Sequence, residues 1–379
     1  MGRSFDVAIV GAGIVGLAHA LAAARIGKRV VVIDRDAQAN GASVRNFGFV
    51  TVTGQAAGAC WLRAMRSRAV WADVAPQAGI AVEHEGLAVA ASSPEAVAVL
   101  EAFLATEMGR DCALLNPAQA AARVPGLRAD AVQAVLWSPH ELRVESRDAV
   151  PKLADWLAAA HGVRFIRSAA VRAVAPPAIE TSEGRIEAET AIVCPGDDLV
   201  SLFPERIRRY GVVRCKLQML RVVPNGARPR LGAAVMSDLG LIRYQGYSTL
   251  AETAALRARL TRERPGAVAN GVHLIAVQSA DGSLVVGDSH HYGDTPDPFA
   301  SAAVEGLILE ALDAVLALPG RRVAERWIGT YSSCADRLMF VDSPSDAVRL
   351  VMVTSGTGAS TAFAIAEEVV AELYGRAAA

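Results

Sequence analysis

Apolar and polar positions along the chain alternate between short apolar runs and longer stretches of helical period. The sharpest instance is N-terminal. Residues 7–10 form an apolar run, small and apolar residues continue with helical spacing to about residue 26, and Val30–Ile33 is a second run that ends at Asp34. Short apolar runs bounded by turn residues predict buried strands, and the longer stretch between them predicts a helix. Further helices are expected over residues 57–78, 94–108, 146–160, 249–264, 301–316 and 361–374. A short helix opens at Asn116-Pro117 and ends at residues 124–126. Pro94 stands where a first helical turn tolerates proline. Strands are expected at 163–166, 171–174, 191–193 and 350–353. Residues 80–91 alternate as a strand pair around Gly86. From 212 onward strands dominate, at 212–223, 233–236, 241–244, 272–278 and 284–287.

This order implies a discontinuous chain. Strand–helix alternation at the N-terminus, in the middle and at the C-terminus predicts a parallel sheet covered by helices. The strand-rich pieces between them predict a mixed or antiparallel sheet. The expected boundaries are 1–78, 140–211 and 326–379 for the first domain, and 79–139 and 212–325 for the second. A length of 379 residues suits two domains. No internal repeat or low-complexity linker is evident.

Composition narrows the classes. Hydrophobic residues make up 52% and the net charge is −1, with no basic block or basic-aromatic interleaving, so no nucleic-acid surface is expected. The five cysteines are odd in number and scattered without a CxxC, which argues against a disulfide framework or a zinc ribbon. Residues 7–24 are nearly all apolar, yet glycines and His19 interrupt them, so a buried strand and helix are expected there and not a membrane span. The fold begins by Phe5, and a reduced, cytoplasmic protein without a signal peptide is expected. The oligomeric state is not legible.

The candidate chemistry begins in the first turn. Gly11, Ala12, Gly13, Ile14, Val15 and Gly16 form a GxGxxG loop between strand and helix, and Asp34 follows Gly16 by eighteen residues. Gly11 permits the tight turn, Gly13 lets the backbone approach a pyrophosphate at the helix N-terminus, and Gly16 lets helix and strand pack. Asp34 is placed to accept from a ribose with a free 2′-hydroxyl, which points to FAD or NAD and away from NADP. A second glycine turn, Ser355 to Ser360, lies between a strand and a helix, and Cys194-Pro195-Gly196 ends a middle strand. Three such bends favour FAD, whose ribityl chain and ring need contacts that NAD does not.

These features resemble the FAD-dependent amine-oxidising superfamily of D-amino-acid oxidase, glycine oxidase and sarcosine oxidase. Several strings are similar to flavoproteins associated with phosphonate breakdown: GASVRNFGF at 41–49, WSPHELRVESRDAVPKL at 137–153, CPGDD at 194–198, VRCKLQMLR at 213–221, VGDSHHYG at 286–293, ERWIGTY at 325–331 and TAFAIAEEVVAEL at 361–373. The resemblance spans the chain. It implies an α/β fold, a Rossmann-like FAD-binding domain of glutathione-reductase/D-amino-acid oxidase type with an inserted mixed-sheet substrate domain.

The resemblance further implies that Asp34 and Arg35 hold the adenosine ribose and that Ser43 meets the pyrophosphate. Arg45, Asn46 and Gly48 would approach the flavin ring, Val171 the adenine, and Gly196 the cofactor channel. Gly356, Thr357, Gly358, Ala359 and Ser360 would cover the ribityl chain and the ring's pyrimidine edge, although Ala359-Ser360 departs from the small residues expected after Gly358. Gly329 falls near the position where the sarcosine-oxidase branch attaches its flavin through cysteine, with Cys334 offset, so FAD is expected to be non-covalent. Val285 replaces that branch's oxygen-activating lysine, which leaves O2 or another electron acceptor open. A flavin-hydroxylase reading of Gly287-Asp288 is disfavoured, because a further strand–glycine–helix unit follows.

For the substrate, Arg214, Lys216 and Gln218 share one face of a strand, either a solvated face or a polar floor. Lys216 is one of only three lysines. Asp288, His290, His291 and Tyr292 form a second polar cluster, without a third ligand at metal spacing in the sequence. The catalytic candidates are Lys216, His290 and Tyr331. The binding candidates are Arg45, Gln218, Arg243, Tyr244, Gln278 and Arg337. A phosphonate should recruit two or more bases and a carboxylate about one arginine. The leading expectation is oxidation of a small aminophosphonate, 2-aminoethylphosphonate or a hydroxy or N-methyl derivative. Small amino acids, 2-hydroxy acids and an FAD-binding subunit without turnover are the alternatives.

Overall fold

A computed structural model of the chain describes residues 4–225 and 230–375. Two sheets organise them. The first has eight strands, in the order Met339–Ser345, Val348–Val353, Gly184–Val193, Phe5–Val10, Val30–Ile33 and Arg164–Ile166. The last five of these run parallel, and Met339–Ser345 closes one edge antiparallel. The hairpin Val171–Ala175 and Ala178–Thr181 attaches to the outer half of Gly184–Val193. Parallel strands buried on both faces read as continuous apolar runs. That is why Val7, Ala8 and Ile9, and Val31 to Ile33, are wholly buried.

Four helices cover one face of this sheet: Ile14–Arg25, Ala59–Gln77, Ser146–His161 and Gly358–Tyr374. The last lies between the first two. Phe363 meets the Trp71 ring edge-on at 5.2 Å, and Trp71 Nε1 donates to Ala359 O at 2.8 Å. Each large apolar side chain buried here contributes roughly 1.5–3 kcal/mol.

The second sheet has ten strands, in the order His291–Gly293, Val213–Val223, Leu284–Gly287, Ile275–Gln278, Ala234–Met236, Val82–Ala91, Ala134–Val144 and Phe49–Val50. Arg322–Ser333 pairs along the length of Val213–Val223, and Ala113–Leu115 pairs with Ala134–Val144. The sheet is mixed, because Ala234–Met236 runs parallel to Val82–Ala91 while its other pairs are antiparallel. Phe49–Val50 and much of Arg322–Ser333 belong to this sheet, although their sequence flanks belong to the first.

Several elements differ from expectation. Residues 241–244 are not a strand: they lie between a 3-10 turn, Asp238–Gly240, and a short helix, Gln245–Ser248. The apolar run there packs as a buried corner, with Leu241 and Tyr247 wholly covered. The helix expected over 249–264 is Thr253–Glu263. Three long strands were not anticipated along their length: Ala134–Val144, Gly184–Val193 and Arg322–Ser333. The first contains Pro139, and the third opens with the exposed charged positions Arg322, Glu325 and Arg326, so neither shows a plain apolar run. Among the described residues no helix is long and apolar enough to cross a membrane.

Candidate active site

The three glycine bends converge. A Cβ on Gly11 would lie 2.4 Å from Cys194 O, and one on Gly16 would lie 1.8 Å from Gly11 O. Side chains at these two positions are therefore excluded by backbone. Gly358 faces Ile14 and Val15, and Ser332 Oγ donates to Gly196 O at 2.6 Å. Helices Ile14–Arg25 and Gly358–Tyr374 thus open toward one another, and neither has an acidic residue in its first turn. Two positive helix ends without acids form an anion cradle. Ser43 Oγ accepts from Ile14 N at 2.9 Å, and a Cβ on Gly13 would meet that oxygen at 2.9 Å.

Asp34 stands at the tip of its strand and accepts from Ala12 N at 2.5 Å and Asp36 N at 2.8 Å. Arg35 pairs with Asp198 at 2.7 Å, which joins the CPGDD segment to the second strand's end. Asn46 donates to Ala42 O and accepts from Gly48 N and Ser146 Oγ, so the 42–48 loop is internally braced. Gly48, at φ +68°, lies so close to Val144 O that a Cβ would sit 1.8 Å away.

Against the Gly356 bend stands a ring. A Cβ on Gly356 would touch the Tyr331 ring at 3.2 Å. Tyr331 is paired across the sheet with Cys215, and Cys215 in turn with Tyr292. Arg243 donates to Tyr292 Oη at 2.9 Å. Behind them are Tyr244, His273, Asp288 and His290. His273 Nε2 is 3.4 Å from Tyr244 Oη, and the His273 and His290 rings are 4.8 Å apart. Burial would pull the Arg243 guanidinium down, but the facing Tyr331 and Tyr292 hydroxyls and Asp288 hold it above its ordinary range. Burial pushes the Asp288 carboxyl up to about 8. It also holds His273 and His290 well below the imidazole range, with Arg243 adding to the effect. Buried ionisable groups displaced this far mark functional sites more often than surface ones.

The FAD dependent oxidoreductase family model, DAO, matches residues 6–373. The chain belongs to this family. It is an enzyme, an FAD-dependent oxidoreductase. The fold is that of glycine oxidase from Geobacillus kaustophilus, at 19% identity over 100% of this chain and 96% of that one, with a TM-score of 0.79. L-proline dehydrogenase from P. horikoshii is similar at 18% identity, 100% and 95% coverage and a TM-score of 0.80. Iminodiacetate oxidase from Chelativorans sp. BNC1 is similar at 17%, 98% and 96%, with a TM-score of 0.73. No curated protein matches the chain.

FAD fits the DAO chain's own residues. The cradle at Gly11, Gly13 and Gly16 admits backbone and no side chain, and two acid-free helix ends face it. Ser43 is at the first helical N–H, and Val171 starts a strand beside the segment where Ala169 N donates to Asp34 O. Ala359 and Ser360 also brace the fold: Ala359 O accepts from Trp71, and Ser360 Oγ accepts from Thr51 N at 2.9 Å. Gly329, in the position considered for covalent attachment, faces Arg45 O, while Cys334 Sγ is directed at Tyr210 O and Asp336.

Of the substrate candidates, Arg243, Tyr244, His290 and Tyr331 come together. Lys216, Gln218, Gln278 and Arg337 do not join them. Lys216 Nζ donates to Asp297 at 2.8 Å and to Phe299 O at 3.1 Å, and Gln218 clasps Ser301 through both its amide atoms. Even-numbered side chains on that strand point away from Cys215 and Tyr331, so the expected polar floor is a clamp on the 297–301 loop. Gln278 accepts from Leu231 N and donates to Gly282 O on the same principle. Arg337 is held by Asp336 and lies over the Tyr210 ring. Arg45 lines a separate cavity of about 720 Å³ with Asn40, Arg147, Pro298, Arg326 and Trp327. That cavity contains none of the buried ionisable cluster.

Sequence reasoning did not find His273. It is brought to Asp288 by pairing across the sheet, where each backbone N–H donates to the other's carbonyl at 3.2 Å. Nothing local in the string VHLIAV signals this. It completes a group of three donors, with Asp288 and His290, whose atoms lie within 4.8 Å of one another. Arg143, wholly buried beside Glu145, Ser279 and Arg221, was also not anticipated as an interior charge.

Proposed function

We propose that this DAO-family chain oxidises the C–N bond of a small amine bearing an anionic group. The product imine is hydrolysed to an aldehyde and an amine or ammonia. Within that class the substrate is an aminophosphonate, 2-aminoethylphosphonate or a hydroxylated or N-methylated derivative. The observation that carries the reading is the Arg243–Tyr292–Tyr331 group against the Gly356 bend, with buried Asp288, His273 and His290 behind it. The phosphonate preference is supported by the motif strings at 41–49, 137–153 and 286–293.

FAD, when bound, supplies the hydride acceptor. The protein binds and orients. Arg243 keeps its charge and offers forked donors to an anion. Because Arg243 donates to the Tyr292 oxygen, the Tyr292 hydroxyl hydrogen is left for the substrate's anionic group. Burial raises the Tyr331 and Tyr244 hydroxyls, so both remain neutral donors. Burial and Arg243 keep the buried histidines neutral.

A carboxylate in place of the phosphonate is the second reading. It is favoured by the single arginine in the cluster, since Lys216 and Arg337 are engaged elsewhere. An anaerobic screen decides. FAD-loaded enzyme bleached by an aminophosphonate and not by glycine, sarcosine or D-alanine supports the first reading. Bleaching by the amino acids alone replaces it with the second. Bleaching by none of them rejects both. Peroxide formed in air then identifies O2 as the acceptor.

A further inference from the structure

Behind Arg243, three buried ionisable side chains meet. His273 Nδ1 and Asp288 Oδ1 stand 3.1 Å apart, and neither makes a hydrogen bond. His290 Nδ1 is 2.9 Å from Gly271 O, so it carries the hydrogen, and its Nε2 is left as a lone pair 3.8 Å from Asp288 Oδ2. Each carboxylate oxygen therefore faces an imidazole nitrogen. A buried carboxylate oxygen without a donor is costly unless a proton or a cation reaches it. Arg243, close enough to act on all three groups, works against a metal cation. A proton delivered with the substrate meets the same need.

We propose that Asp288, flanked by His273 and His290, takes the proton from the substrate's ammonium group before the C–H bond is broken. This rests on the amine reading above. An ammonium has no lone pair to stabilise the carbon from which hydride leaves, so the amine must first be neutral. In the step, one N–H bond breaks and its electron pair stays on nitrogen. The proton bonds to the carboxylate, directly or by way of His290 Nε2. No electrons leave the substrate and no co-reactant is consumed. Arg243 and the ionised Asp288 then carry charges opposite to those at the two ends of a small zwitterion.

The groups facing Asp288 set its ionisation. They are His273 at 3.1 Å and His290 at 3.8 Å, Arg243 and Tyr244 from the corner, and Cys215 from the long strand. Burial dominates and raises the carboxyl, while Arg243 opposes it. A base near 8 is matched to an ammonium substrate in mildly alkaline solution.

The test is the limiting rate of anaerobic flavin reduction in FAD-loaded enzyme, from about pH 6 to about pH 9, with the best amine from the screen. The wild-type rate is expected to rise about tenfold per pH unit until Asp288 ionises. Asp288→Asn is expected to lose about 10²-fold at its optimum and to lose that limb, leaving only the substrate's own ionisation at higher pH. A variant within about threefold of wild type, with the same limb, overturns the proposal. So does stoichiometric zinc or iron in the purified enzyme that is lost with Asp288→Asn. If that variant fails to load FAD, Asp288→Glu decides: a limb that moves to the new carboxyl's ionisation supports the route, and a limb left where it was in wild type overturns it. A wild type that no amine reduces rejects the functional reading itself, which is a distinct outcome from a reducible wild type with an indifferent variant.

Discussion

Arg243 and Lys216 are both cations near the second sheet, yet their partners give them opposite expectations. Arg243 is bonded to one tyrosine oxygen and retains donors, so Arg243→Ala is expected to raise KM for the anionic amine by about 10–100-fold, the worth of a charge-assisted bond. Lys216 is spent on Asp297 and Phe299 O, so Lys216→Ala is expected to leave KM within about threefold. Steady-state kinetics of the two variants checks both. A KM unchanged in Arg243→Ala removes the anion site. Residues such as Gly11, Gly16 and Asp34 were legible in the sequence because one local turn dictates them. Tyr331 was singled out at the end of a motif string, and Arg243 only as one of several scattered candidates. Lys216 shows the limit: strand parity put it on a face but not on which side the cofactor lies. His273 shows a different limit, because its role arises from a partner fifteen residues away across two strands.

At the level of elements, the helix Gly358–Tyr374 does two jobs. Its first turn helps form the anion cradle, and its sides carry the packing of two other helices. Ser360 joins these jobs, because its buried hydroxyl satisfies Thr51 N. Ser360→Ala is expected to cost about 1–3 kcal/mol, the price of an unsatisfied buried amide. Urea unfolding of the FAD-loaded protein measures it, and a loss below about 0.5 kcal/mol contradicts the assigned bond. The ion pairs Arg63–Glu368 and Arg66–Glu367 on the same helix are partly exposed, so removing either is expected to cost under about 1 kcal/mol. The helices and parallel strands were legible because their periodicity is local. Arg322–Ser333 was not, because its exposed charged positions conceal a strand whose covered face is supplied by a distant partner.

For the whole molecule, buried titrating groups shape stability on both sides of neutrality. Burial holds His19 at about 4 and His84 at about 3, both below their unfolded value. Their contribution is therefore present above about 6.5 and is lost as pH falls through the folded values. Asp288 is raised, to about 8, so its contribution is present below the unfolded carboxylate value and is lost as pH rises through about 8. Tm is accordingly expected to fall on both sides, and the alkaline fall should be smaller in Asp288→Asn. Scanning calorimetry from about pH 5 to about pH 9 tests this, and parallel alkaline limbs would contradict it.

The placement of the last helix has a consequence for biosynthesis. More than three hundred residues separate the strand Phe5–Val10 and helix Ile14–Arg25 from the helix that covers them, Gly358–Tyr374. Lys28 lies over the Tyr374 ring, and Tyr374 Oη reaches Thr190. The nascent chain must therefore keep an oily, glycine-looped N-terminal unit from sticking to its neighbours while more than three hundred residues are translated.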